Sequence, residues 1–205
     1  MMRICSLVVG PLLLGLALPL AAAERLDPQQ MFLQLRPDLG HLQFLWTQAE
    51  GDLNGDGMAD VAMLLTGSTG TDAGRDERLV ILAGTPAGGY RVLSVSADFC
   101  HPSKFYNLEI RRGALLVETV ETADGGRWGS TTRRFRYNAG RQDLELIGED
   151  TRSEDESSGE AERGSTNFLT GQHVSTTRSK GKTQTTTRQL GITARPFLNG
   201  WDCGR

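Results

Sequence analysis

The chain has 205 residues, 38% of them hydrophobic, 23% charged and 6% aromatic, with 25 glycines and 7 prolines. This near-average composition excludes wholesale disorder, a collagen-like chain and a multi-span membrane protein. The formal net charge of −3 gives no overall attraction to nucleic acid.

Met1 to Arg3 carries a positive charge, Leu7 to Leu20 is an apolar run, and Ala21-Ala22-Ala23 offers small residues before Glu24. That is the three-part plan of a secretory signal peptide, so residues 1–23 are expected to be an export leader. Removing 23 residues and one base, Arg3, leaves 182 residues at −4. That length suits a single domain, residues 24–205, with no membrane span. The expected location is the periplasm or the exterior. There, Cys100 and Cys203 are expected to form one disulfide, because an isolated cysteine pair in an oxidising compartment is most simply bridged.

Asp27 and Pro28 suit the start of a short helix over Pro28 to Leu35, ended by Arg36-Pro37. Leu42 to Gln48 alternates as a strand, with Leu42, Phe44 and Trp46 on one face. Val61 to Thr66 is a continuous apolar run bounded by Gly67, the pattern of a buried strand. Strands follow at about ten-residue intervals: 78–83, 90–97, 107–112, 114–122, 127–137 and 143–148, with turns at Gly88-Gly89, Gly113, Gly125-Gly126 and Gly140. The fold class is therefore mainly β, an antiparallel meander or sandwich-like domain with a short N-terminal helix.

Residues 149–162 hold seven acids (Glu149, Asp150, Glu154, Asp155, Glu156, Glu160, Glu162) against Arg152 alone. Read by composition, this is a flexible acidic loop. Residues 24–162 carry −10, whereas 163–205 carry +6. Val174 to Arg188 reads as a polar hairpin with its tip at Ser179 to Lys182, basic enough for phosphate or acidic glycan. It has no aromatic residue to stack on a base, so nucleic acid is not an expected partner.

Chemistry concentrates in Asp52-Leu53-Asn54-Gly55-Asp56-Gly57-Met58-Ala59-Asp60. Side-chain oxygens fall at loop positions 1, 3, 5 and 9, and Gly57 at position 6 permits a sharp turn. Hard cations such as Ca²⁺ take six to eight oxygen ligands, and alternate residues of a curled loop can converge on one. The expected ligands are the side chains of Asp52, Asn54, Asp56 and Asp60 and the backbone carbonyl of Met58. Position 12 is Met63 rather than a bidentate Glu, and the flanks are strand-like, so this is not an EF-hand. The stretch Gly51 to Leu65 resembles the calcium loop of FG-GAP and VCBS-type repeats. The resemblance implies a loop joining two strands and a structural Ca²⁺. It occurs once, so it does not imply a propeller. The wider layout is similar to that of small exported bacterial β-rich proteins, which carry no activity to transfer.

Catalytic signatures are absent from the sequence. His41, His101 and His173 lack zinc spacing, and there is no Gly-x-Ser-x-Gly elbow. Ser179 to Lys182 matches Ser-x-x-Lys without its companion motifs. Trp46, Trp128 and Trp201 are read as core rather than sugar platforms. The expected function is an exported, calcium-binding, non-enzymatic binding module with a protein or glycan partner. The alternatives are a small secreted hydrolase whose carboxylates and His101 or His173 meet only in the fold, and a periplasmic inhibitor or immunity-type protein.

Overall fold

The structure is a computed structural model that describes residues 27–68, 75–97, 105–123 and 126–201. The expected leader 1–23, His101, and the expected Cys100–Cys203 bridge lie outside the described residues.

The protein is mainly β, with two open antiparallel sheets and one short helix. Helix α1 spans Pro28–Leu35. The Asp27 side chain accepts the Gln30 amide at 2.9 Å, satisfying one of the amide donors that a helix start leaves open. The first sheet is a four-stranded meander of β1 (Phe44–Gly51), β2 (Asp60–Ser68), β3 (Arg75–Gly84) and β4 (Tyr90–Val95). The second is a seven-stranded meander of β5 (Phe105–Arg111), β6 (Ala114–Ala123), β7 (Arg127–Asn138), β8 (Asp143–Asp155), β9 (Glu160–Asn167), β10 (Gln172–Ser179) and β11 (Lys182–Gln189).

The first sheet is a middle layer, which explains the unbroken apolar run in β2. Val61, Met63 and Leu65 face Phe32 of α1 and Leu42, joined by Val80, Leu82 and Tyr90. Ala62 and Leu64 point the other way, with Leu79 and Ile81, onto Leu108, Leu115, Val117, Phe135, Leu144 and Leu146 of the second sheet. All five residues from Val61 to Leu65 are fully buried. Period-2 alternation disappears when both faces are covered. The C-terminal segment closes this core. Leu198 donates its amide to Leu144, Leu146 donates to Pro196, and Trp201 packs edge-on to Phe135 at 5.3 Å.

A buried carboxylate ties the layers. Asp143 accepts the Ser94 hydroxyl (2.6 Å) and the amides of Leu144 (2.7 Å) and Asn199 (3.2 Å). It thus joins β4, β8 and the C-terminal segment, with its polar atoms bonded as burial demands.

Beyond this core the second sheet continues as a polar wing formed by the first half of β7, the second half of β8, and β9 to β11. Every residue of β11 is exposed. Two expectations change here. The flexible acidic loop 149–162 is instead a strand hairpin: β8 runs to Asp155 and β9 starts at Glu160. Its acids meet arginines across strands, as in Arg133–Glu149 (2.9 Å), Arg127–Asp155 (2.9 Å) and Arg178–Glu154 (3.5 Å). The reading of all three tryptophans as core holds only for Trp201. Trp46 is 46% exposed on edge strand β1, next to Phe44 at 71%, and half-buried Trp128 lies under the Arg152 guanidinium. The pairing of β1 with β2 slips between Leu45 and Thr47. That irregularity interrupts the simple alternation that put Leu42, Phe44 and Trp46 on one face.

Candidate functional site

The Asp-rich segment is the connection between β1 and β2, whose ends Gly51 and Asp60 are paired in register. Leu53 is buried in the inter-sheet core and anchors the loop from below. Gly55 and Gly57 adopt φ of +79° and +81°, the left-handed region that glycine enters without a Cβ penalty.

Each alternate polar side chain folds back on the loop's own amides. Asp52 accepts from Gly55 (2.7 Å, Oδ1) and Gly57 (2.9 Å, Oδ2). Asn54 Oδ1 accepts from the Asp56 amide at 2.9 Å, and its Nδ2 donates to Asp56 Oδ2 at 2.9 Å. Asp56 Oδ1 accepts from Met58 at 2.8 Å. These are Asx-type turns, in which a short polar side chain substitutes for a backbone acceptor. Asp52 and Asn54 are half-buried and Asp56 is exposed, so this side of the loop reaches solvent.

Asp60 is different. It is fully buried. Its Oδ2 accepts from Leu53 (2.8 Å) and Asn54 (3.2 Å), and its Oδ1 accepts from Gly84 at the end of β3 (3.0 Å). It thus fastens the loop's entry to two strands. Burial pushes its pKa up. The three amide bonds oppose that shift, and the neighbouring Asp56 charge adds to it. Gly84 has to be glycine, because a Cβ there would stand 2.6 Å from the Ala59 carbonyl oxygen.

Among the described residues, no Lys or Arg pairs with Asp52, Asp56 or Asp60, although the wing's acids are paired repeatedly. Nor do three carboxylate, imidazole or thiol side chains there converge as a ready-made metal cluster. The donor set nevertheless fits a hard cation. It is all oxygen, rich in carboxylate, and without a cationic counter-group. Asp52 Oδ1 and Oδ2, Asn54 Oδ1 and Asp56 Oδ1 each accept a single bond, and a carbonyl or carboxylate oxygen has two lone pairs.

The two described histidines, His41 and His173, are each held by a neighbouring side chain. His41 Nε2 lies 2.9 Å from Asp76 Oδ2, while Arg78 Nε donates to Asp76 Oδ1 at 2.6 Å. That carboxylate, on β3, braces the segment before β1. His173 Nδ1 lies 2.9 Å from the Thr166 hydroxyl on the open sheet of the wing.

Compared with known proteins, the chain matches no family model, no curated protein and no solved structure at a significant level.

Proposed function

We propose that this is an exported β-rich protein that binds one structural Ca²⁺ in the Asp52–Asp60 loop and acts as a non-enzymatic binding module. The reading rests on one observation: three carboxylates within nine residues have no cationic partner among the described residues, at the loop that joins edge strand β1 to β2. Asp52, Asn54 and Asp56 would supply side-chain oxygens, Met58 its carbonyl, and Asp60 the buried anchor. The ion would neutralise the charge that Asp56 imposes on Asp60 and would compete with the loop's Asx turns for the same oxygens. Its role is then to pin β1 to β2, as Ca²⁺ does in extracellular modules of millimolar affinity. The resemblance to FG-GAP and VCBS-type loops supports the same assignment. The open, polar wing suits contact with a partner surface better than enclosure of a small substrate.

The test is thermal melting with increasing Ca²⁺ at constant ionic strength. At ten times the dissociation constant, binding to the native state adds about 1.4 kcal/mol, a rise in Tm of roughly 3–6 °C for a chain of this size. Asp56→Ala, at the exposed tip, should fold normally and lose the rise. A wild-type protein that melts at one temperature with and without Ca²⁺ refutes the site.

A further inference from the structure

The wing carries a second cluster of charge, on the face opposite to Phe135. Two rows of side chains cross the strands there. One is Trp128, Glu154, Ala161, Arg178 and Thr183, each paired in register with the next. The other is Ser130, Arg152, Arg163, Thr176 and Thr185. Arg152 and Arg163 therefore stand directly opposite one another on β8 and β9. Opposed residues in an antiparallel pair have Cβ atoms only about 4.5–5.5 Å apart, and like charges so placed repel.

Arg152 and Arg178 are partly compensated. Glu154 lies 3.0 Å from Arg152 and 3.5 Å from Arg178, and the Arg152 guanidinium rests 4.7 Å over the Trp128 ring. Arg163 is exposed, and its side chain makes no ion pair or hydrogen bond among the described residues. The three arginines and Glu154 line one open groove of about 280 Å³ with Thr176 and Thr183. The nearest other acid on this face, Asp150, is taken by Arg134 and Ser165. Three guanidiniums against one carboxylate leave the groove positive.

We propose that this groove binds a tetrahedral oxyanion, a phosphate or sulfate group, seated between Arg152 and Arg163 with Arg178 and the Thr176 hydroxyl beside it. A guanidinium offers five donors in a planar fork, so Glu154 leaves most of those on Arg152 and Arg178 uncommitted. Donors arriving from three strands match an anion with three or four oxygens better than a planar carboxylate with two. The anion would also offset the repulsion between the opposed Arg152 and Arg163 guanidiniums. Trp128 has a guanidinium on its ring, so it offers no open platform for a base. The inference is independent of the calcium loop, which lies on the other sheet.

The test is titration of the full chain with sodium sulfate and sodium phosphate, followed by amide NMR and thermal melting, against sodium chloride at equal ionic strength. Saturable shifts clustered at residues 152–154, 161–163 and 176–178 are expected. Arg163→Thr should weaken binding at least tenfold and, in anion-free buffer, melt slightly higher than the wild type because the like-charge pair is gone. Arg188→Ala, on the opposite face beside His173, should bind as the wild type does. A response that chloride reproduces, or that Arg163→Thr keeps, overturns the site. Parallel arms with a sulfated polysaccharide and with phosphatidylglycerol vesicles identify the carrier of the group by whichever binds more tightly than the free ion. Free ions binding best would make the small anion itself the ligand.

Discussion

Asp60 shows how one residue can serve geometry before it serves chemistry. Its position, ninth in an Asp-rich loop, is legible in the sequence. Its partner Gly84 is not, because it stands 24 residues later on another strand. Replacing Asp60 by Ala would strand the amides of Leu53, Asn54 and Gly84, and an unsatisfied buried donor costs about 1–3 kcal/mol. With partial relaxation, the expected loss is about 2–4 kcal/mol, read from urea unfolding without Ca²⁺. Asp56→Ala, at an exposed position, should cost no more than about 0.5 kcal/mol in the same buffer. Equal losses for the two variants would mean that Asp60 does not hold the loop to β3. The same pair separates architecture from ligation, since Asp56→Ala alone should leave the fold intact while abolishing the Ca²⁺ response.

At the scale of elements, the β8–β9 hairpin is where composition misleads. Seven acids against one base describe a solvated loop only if each residue is counted with its chain neighbours. The compensating arginines, Arg127, Arg133 and Arg134, lie on β7 and reach Asp155, Glu149 and Asp150 across the sheet. Register is a long-range property that composition cannot contain. The same blindness hid the Arg152–Arg163 opposition, which exists only once β8 and β9 pair. The β10–β11 hairpin, by contrast, was legible, because Lys180-Gly181 forms a tight turn between Thr-rich runs, with φ of 51° and 73°. Asp155 reports on the β8–β9 turn. Bonds from the Ser157 hydroxyl, the Arg127 guanidinium and the Ser157 and Ser158 amides hold its carboxyl well below the usual 3.8. A depressed carboxylate adds stability that is complete above the usual value and fades as pH falls below it. Carboxyl-carbon NMR should therefore find Asp155 still ionised where exposed carboxylates have protonated. Ser157→Ala should move its midpoint back toward 3.8; an unchanged midpoint would remove the turn from the explanation.

On the scale of the whole molecule, the protein is a layered core with a wing that has none. The strand count was largely readable from turn spacing. The division into sheets of four and seven was not, because a meander reads alike whether or not it breaks. Where the break falls depends on which faces find cover: β2 has Phe32 on one side and the second sheet on the other, whereas β11 has solvent on both. Stability should follow that cover, since amides open with free energies from near zero up to the global value according to local burial. Native-state hydrogen exchange should find β2 and β3 exchanging only through global unfolding, and β10 and β11 first. Phe32→Ala, which empties a fully buried site, should cost about 3–5 kcal/mol and lower protection across β2 and β3 together. Thr185→Ala on the exposed edge should change protection only within the wing. Uniform protection from β2 to β11 would contradict this layering. It would mean that the wing is covered in solution, and adding sulfate or a second copy of the chain would then show which of them covers it.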